Sequence, residues 1–228
     1  SQLLAFGYRV ALSRMVGAEV MGLYQLIMPV YSVMLSLTAV GLTAAVSNLT
    51  PQYLALGNSR GIPQLLGTCL RILFLLMAPI TVGIVLCYDP ISVVLLGDAR
   101  TQLGLILLLP CVALTGVENL HKHFFYGSGL VRPPAVAELL EQIVRTGAVL
   151  GLLVWFLPQY PERVVGLIVA GMILCEVVSA LTLTLLCHWR LHRMGLQGAG
   201  ETGRVRRRRV LTIALPVGLN SLLGNLMG

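Results

Sequence analysis

One stretch of the chain decides the fold class: residues Val164 to Cys187 read VVGLIVAGMILCEVVSALTLTLLC and include one charged residue, Glu176. A helix needs about 20 predominantly apolar residues to cross roughly 30 Å of hydrocarbon, and this run is long enough. The same criterion predicts six spans and the start of a seventh near residue 210, the six lying at about 1–13, 22–47, 65–87, 101–122, 135–157 and 164–188. The sequence therefore predicts an all-α, polytopic transmembrane helical bundle whose first helix is truncated.

The composition excludes both a soluble domain and a disordered chain. Of the 228 residues, 57% are hydrophobic and only 11% are charged, whereas an average soluble domain has about 25% charged residues. A disordered segment stays solvated because it has few apolar residues, and this chain has many. The five cysteines lie inside apolar runs without a C-x-x-C pair, which favours small core side chains over disulfides or metal ligands.

The distribution of basic residues predicts the orientation of the chain in the membrane. Eleven of the sixteen basic residues, Lys122 among them, fall in or beside the connections after the second, fourth and sixth spans. Short connections rich in arginine and lysine lie in the cytoplasm. We therefore expect the loops 48–64, 123–134 and 189–209 to be cytoplasmic. The opposite connections hold four basic residues: Arg9, Arg14, Arg100 and Arg163.

The Arg206–Arg209 run is interpreted as part of this topology signal. It lies between two spans, so contact with anionic membrane lipids is compatible with it, whereas no nucleic-acid partner is expected. The segment from Pro90 to Gly97 predicts a short interfacial helix between the third and fourth spans.

The second span carries a stripe of polar residues along one face. Spacings of seven, four, seven and four residues keep them on the same side of a helix. Small polar side chains on one face are typical of helix–helix packing, and contact with a substrate is the alternative. The stripe consists of Gln25, Ser32, Ser36, Thr43 and Ser47.

Charged side chains inside four of the spans are the stronger functional signal, because each is costly to bury in a membrane. One interpretation is internal pairing, such as Glu141 with Arg145 at i, i+4. Several helices share the pattern, however, so we favour a shared hydrated cavity. The stripes are Gln2, Arg9 and Ser13, with Arg14 beside them; Thr115, Glu118, Asn119 and Lys122; Glu138, Glu141, Gln142 and Arg145; and Glu176 and Ser179.

No catalytic motif is present in the sequence. A Walker loop, a G-x-S-x-G elbow and an H-E-x-x-H pair are all missing, so an enzyme is not expected. His188 and His192 have a spacing that can hold a metal ion, but no acidic residue lies nearby in sequence, and we predict no metal site.

A family resemblance appears in three segments. They read SRMVGAEVMGLYQLIMPVY from Ser13 to Tyr31, LTAVGLTAAVSNLTPQYLALGN from Leu37 to Asn58, and FYGSGLVRPPAVAELLEQIVR from Phe125 to Arg145. Together they resemble the stage V sporulation protein B and polysaccharide-transport branch of the MOP flippase superfamily, to which MurJ-like lipid II flippases and MATE exporters belong. The Glu141, Gln142 and Arg145 triplet stands where this branch has E-Q-x-x-R.

The resemblance implies a division of the chain and an incomplete protein. Members of this family resemble two six-helix lobes, so residues 1–188 are expected to form an N-terminal transmembrane lobe. Residues 189–209 would then be a basic cytoplasmic loop, and residues 210–228 the start of a C-terminal lobe. We interpret the sequence as a fragment, with the remaining lobe as its partner.

The resemblance also implies a function. A member of this branch would flip an undecaprenyl-pyrophosphate-linked saccharide, a peptidoglycan or surface-polysaccharide precursor, across the bacterial cytoplasmic membrane by alternating access. Arginine suits the diphosphate because its planar fork binds two oxygens. The substrate-binding candidates are Arg9, Arg14 and Arg145, with Gln25 and Asn119. The carboxylates could bind sugar hydroxyls, bind a coupling cation or balance the arginines; they are Glu118, Glu138, Glu141 and Glu176. No cofactor is expected apart from such a cation.

Three alternatives stay open at this stage. A MATE-like, cation-coupled drug exporter would have the same fold, but its site would favour acidic residues for a cationic substrate. A non-transporting scaffold for envelope assembly or sporulation has no need for inward-facing charges. A membrane glycosyl- or phosphotransferase would need a carboxylate-rich metal site in a sizeable loop, and the largest loop predicted here is rich in arginine.

Overall fold

The computed structural model describes residues 2–95, 97 and 101–227, and within these ranges the chain is a bundle of long helices without β-strands. A π-helical turn, Ser36–Val40, separates the first two helices, and a second π-helical turn, Ile91–Leu95, follows the third. The fold class predicted from the sequence is confirmed. The helices are α1 (Gln2–Leu35), α2 (Gly41–Ala55), α3 (Gly61–Pro90), α4 (Gln102–Gly127), α5 (Arg132–Phe156), α6 (Val164–Met194) and α7 (Gly203–Met227).

Six helical segments in the described part of the chain are long and apolar enough to cross a membrane, so this is a multi-pass membrane protein. The first segment, Gln2–Ala55, has 54 residues and is too long for a single span. Its backbone leaves the helical conformation at Gly17, with φ 78° and ψ 172°. A positive φ is accessible to glycine because it lacks Cβ. Gly17 therefore separates the first predicted span from the second.

Helix α6 lies at the centre of the bundle, against both α4 and α5. Its buried face consists of small and branched residues, including Ile168, Cys175 and Leu183. Gly171 lets α5 approach closely, since a Cβ at this position would lie 2.6 Å from a side-chain carbon of Val149. The polar residue Glu176 lies on this same buried face, and so the packing of α6 brings a carboxylate into the core.

Helix α7 packs along α2 and the π-helical turn before it. Gly41 faces the backbone of Ala214, and the Ser36 hydroxyl lies 3.1 Å from the hydroxyl of Ser221. The Asn225 amide also donates to Ser36 Oγ, at 2.5 Å. The predicted packing role of the polar stripe is thus confirmed for Ser36.

The predicted basic loop 189–209 is shorter in the structure. Helix α6 continues to Met194 and α7 begins at Gly203, so a linker of residues 195–202 connects them. The difference arises because arginine is a good helix former and a helix does not end where the hydrocarbon ends. The Arg206–Arg209 run consequently forms the first turns of α7.

The linker is held against the connection between α2 and α3 by polar contacts. The amide of Arg60 donates to the carbonyl of Gln197 at 3.0 Å, and Asn58 exchanges two hydrogen bonds with the backbone of Gly200. Arg206 donates to Thr68 at 2.7 Å and to Gln64 at 3.0 Å. Two of the connections predicted to be cytoplasmic therefore lie on the same side of the bundle.

Glu201 ties the end of the linker to α2 and α7. It accepts hydrogen bonds from Tyr53 and, at 2.9 Å, from Arg209. Partial burial tends to raise the pKa of this carboxyl, but the two hydrogen bonds and the positive charge of Arg209 outweigh burial and hold the pKa below its ordinary value. The contact is therefore present at neutral pH and is lost only as the pH falls through that lowered value.

The orientation can be tested by single-cysteine labelling of the full-length protein in a background without its native cysteines. Gln159→Cys and Thr202→Cys both place the thiol at an exposed position, on opposite sides of the bundle. A membrane-impermeant maleimide added to intact cells is expected to label position 159 strongly and position 202 only after permeabilisation. Labelling with the reverse pattern would show that the topology is the opposite of the predicted one.

Of the four basic residues counted for the outer side, Arg100 lies outside the residues that the structure describes.

Candidate functional site

Five charged side chains from α4, α5 and α6 meet in the interior of the bundle. Lys122 pairs with Glu118 on its own helix and donates to Glu141 on α5, at 3.1 Å. Arg145 donates to Glu141 at 2.5 Å and reaches Glu176 on α6 at 3.3 Å. Glu141 thus bridges the two cations, and we call these five residues the charge cluster.

The charge cluster is deeply buried. The side chains of Glu118 and Glu176 are each 2% exposed, and that of Lys122 is 10% exposed. Oxygens from the three carboxylates lie within 4.8 Å of one another. Such proximity also makes an oxygen donor set for a cation, which is one of the roles that the sequence left open for these carboxylates.

Three tyrosines of α1 lie beside the charge cluster. Tyr31 shares a hydrogen bond of 2.9 Å with Thr115, one helical turn before Glu118. The hydroxyl of Tyr24 contacts the sulfur of Met172 on α6 at 3.8 Å. Tyr8 and Tyr24 both interact electrostatically with Arg145. Tyr31 therefore contacts the helix that carries Glu118 and Lys122, and Tyr24 contacts the helix that carries Glu176.

Tyr8 and Tyr24 also line a cavity of about 530 Å³ between α1 and α7. Its polar side chains are Arg9, Gln25, Ser32 and Asn225, together with Tyr8 and Tyr24. The described lining contains no carboxylate. The cavity therefore offers one positive charge and several hydrogen-bonding groups along α1, where Arg9 and Gln25 are exposed.

These features coincide with a family match over the whole chain. Residues 1–228 match the family described as polysaccharide biosynthesis protein. The chain belongs to this family. This match confirms the family resemblance noted in the sequence. The protein that contains the basic and polar cavity is thus a member of a family described by polysaccharide biosynthesis.

A curated relative and a solved structure support the assignment. The chain is 26% identical over 231 residues to stage V sporulation protein B of Bacillus subtilis (strain 168), covering 99% of this chain and 44% of that protein. It has the fold of a multidrug resistance MATE family transporter of the MOP superfamily, solved in an inward-facing conformation, with TM-score 0.73 and 18% identity. That match covers 99% of this chain and 51% of the other. The chain spans about half the length of both.

The structure divides the predicted site residues into separate groups. Arg9 and Gln25 line the cavity, whereas Glu118, Glu141, Glu176 and Arg145 form most of the charge cluster. Arg14 and Glu138 are exposed and belong to neither group. Asn119 is half-buried beside the cluster, and its backbone carbonyl contacts His123 at 2.8 Å. A single hydrated cavity uniting all these residues is therefore not what the structure shows.

Sequence reasoning missed several residues of the two sites. Lys122 was counted as a topology signal and as part of the charged stripe of the fourth span, but it was not named as a site residue, although its position four residues after Glu118 indicated an ion pair. The residue is buried and pairs with two carboxylates. The tyrosines of α1 carried no pattern that distinguishes them from core residues. Asn225 lies about 190 positions from Ser36 along the chain, so no local pattern could reveal their contact.

Proposed function

We propose that the full-length protein is a flippase that moves an undecaprenyl-pyrophosphate-linked saccharide across the bacterial cytoplasmic membrane. The present chain supplies its N-terminal lobe, and alternating access requires the second lobe as its partner. The observation that carries the proposal is the cavity between α1 and α7, lined by Arg9 and Gln25. The family match, to proteins of polysaccharide biosynthesis, supports the choice of substrate class.

The chemistry of the cavity fits a diphosphate linked to sugars. The guanidinium of Arg9 can donate two parallel hydrogen bonds to phosphate oxygens. The amides of Gln25 and Asn225 and the hydroxyl of Ser32 are suited to sugar hydroxyls. The lipid tail stays outside, against the apolar surface that the helices expose to the membrane.

The charge cluster has a different role in this proposal. One guanidinium nitrogen of Arg145, Nη2, donates to both Glu141 and Glu176, and the residue does not line the described cavity. Arg145 is therefore a positioning residue that holds α5 against α6 beside the cavity, and Arg9 is the proposed diphosphate ligand.

The MATE-like drug exporter is the second candidate, because the fold is shared with such a transporter. A cationic drug would require negative charge in its binding site, and the described cavity lining has Arg9 and no carboxylate. We therefore expect no binding of a cationic dye such as ethidium to this cavity. An envelope scaffold would bind neither ethidium nor undecaprenyl pyrophosphate.

The proposal predicts a large effect of Arg9→Gln on substrate binding. Loss of a charge-assisted hydrogen bond costs about 1.5–3 kcal/mol, so the affinity of the purified full-length protein for undecaprenyl pyrophosphate should fall about 10- to 100-fold. Native mass spectrometry with titrated lipid measures this affinity.

Arg14→Gln is the matched control for this prediction. It removes the same charge five residues away, at an exposed position that does not line the described cavity. Its affinity should stay within about threefold of the unmodified protein, because Arg14, although exposed like Arg9, does not reach the cavity. Equal losses in the two variants would reduce the role of Arg9 to general electrostatic attraction and contradict the proposed site.

A further inference from the structure

The charge cluster has one more negative group than positive groups. Glu118, Glu141 and Glu176 supply three carboxylates, and Lys122 and Arg145 supply two cations. These groups lie among the packed helices of a membrane protein, where an uncompensated buried charge is costly. The cluster therefore reaches electrical balance only when it holds one additional positive charge.

Two buried carboxylate oxygens in the cluster lack a hydrogen-bond donor. Oε2 of Glu118 and Oε2 of Glu176 are both buried and receive no hydrogen bond from the protein. Oxygens of these two carboxyl groups lie within 4.8 Å of each other, with an oxygen of Glu141 equally close. Two ionised carboxylates cannot bond to each other, because neither has a donor. One proton between them supplies the donor and the missing charge together.

We propose that Glu118 and Glu176 form a proton-binding site that holds one proton at neutral pH. The proton makes one residue of the pair a carboxylic acid that donates to the carboxylate of the other. This inference rests on the charge cluster alone and is independent of the substrate proposed for the cavity.

A metal ion fits the cluster less well than a proton. The carboxylates that would coordinate it already contact Lys122 or Arg145, whose positive charges repel a cation. A divalent ion would also exceed the single missing charge. A proton needs neither free space nor further ligands.

The groups that surround the pair set the conditions under which it titrates. Beyond the two cations and Glu141, helices α1, α4 and α6 contribute weaker acids that are neutral at neutral pH. These are Tyr8, Tyr24 and Tyr31 from α1, Cys111 from α4 and Cys175 from α6. The excess charge is therefore carried by the carboxyl groups.

Infrared spectroscopy of the purified full-length protein tests the site directly. A protonated, buried carboxyl group gives a carbonyl stretch separate from that of a carboxylate, and the band shifts in heavy water. We expect this band at neutral pH in the unmodified protein. We expect its loss in Glu118→Gln and in Glu176→Gln, since either change leaves two carboxylates for two cations.

Glu138→Gln is the control, because Glu138 is an exposed carboxylate on α5 outside the cluster. The band should persist in this variant. Both cluster variants keep the remaining charges balanced and should fold, which circular dichroism and gel filtration check. A band that survives in both cluster variants would overturn the proposal. A band that appears only when sodium is replaced by choline would also overturn it, in favour of a bound metal cation.

Discussion

Arg145→Gln is expected to destabilise the full-length protein strongly. The substitution leaves Glu141 without its contact at 2.5 Å and Glu176 without its contact at 3.3 Å, in a region where water does not replace them. Breaking a buried ion pair by removing one partner costs about 3–5 kcal/mol, because the other charge stays buried. The thermal unfolding midpoint in detergent or nanodiscs should fall markedly, and less protein should reach the membrane.

A second substitution should reverse most of this loss. Adding Glu141→Gln to Arg145→Gln removes one negative charge together with the positive one, so the balance of the cluster is that of the unmodified protein. The double variant is expected to recover most of the stability. Arg71→Gln, at an exposed position on α3, is the control and should have little effect.

The same double variant separates the two interpretations of Arg145. Since Arg145 does not line the described cavity, the double variant should bind undecaprenyl pyrophosphate with nearly the affinity of the unmodified protein. A stable double variant that has lost this binding would restore Arg145 to the role of diphosphate ligand, as the sequence analysis suggested. A double variant as unstable as Arg145→Gln alone would show that charge balance does not hold the cluster together.

The sequence was a good guide to the helices because the membrane imposes a simple rule on composition. Long apolar runs predicted the starts of α3, α4, α5 and α6 to within a few residues, and the break between the first two spans falls at Gly17. The ends were predicted less well where polar residues continue a helix, as Arg204 and Arg206 do in α7. Hydropathy indicates where a segment leaves the hydrocarbon, and it does not indicate where the helix stops.

The site was only half predictable, for a physical reason. Periodicity places Glu118, Glu141 and Glu176 on particular faces of their helices, so a shared charged interior could be inferred. It does not tell which face meets which, and so the sequence did not separate the cluster from the cavity that contains Arg9. It also left Lys122 out of the site candidates, because a lysine at the end of a span is usually an interfacial residue.

A second large effect of a substitution is expected where Gly41 of α2 contacts Ala214 of α7. A Cβ built on Gly41 would lie 2.2 Å from the carbonyl oxygen of Ala214, which is backbone and cannot rotate away. Gly41→Ala is therefore expected to push α7 off α2. Overpacking of this kind costs about 1–3 kcal/mol, and we expect the upper end because no flexible side chain can yield. Gly83→Ala, on α3 with nothing within 4 Å, should have almost no effect.

Cross-linking measures the displacement of α7 apart from the stability of the protein. The hydroxyls of Ser36 and Ser221 lie 3.1 Å apart, so cysteines at these two positions should form a disulfide efficiently under mild oxidation when α7 is in place. In a background without native cysteines, Gly41→Ala should reduce this cross-link strongly and Gly83→Ala should leave it unchanged.

The Asn225 amide, which donates to Ser36 and also lines the cavity, would move with α7. Gly41→Ala should consequently weaken the binding of undecaprenyl pyrophosphate as well. An unchanged cross-link together with unchanged binding would show that α2 and α7 do not pack in this way in the full-length protein.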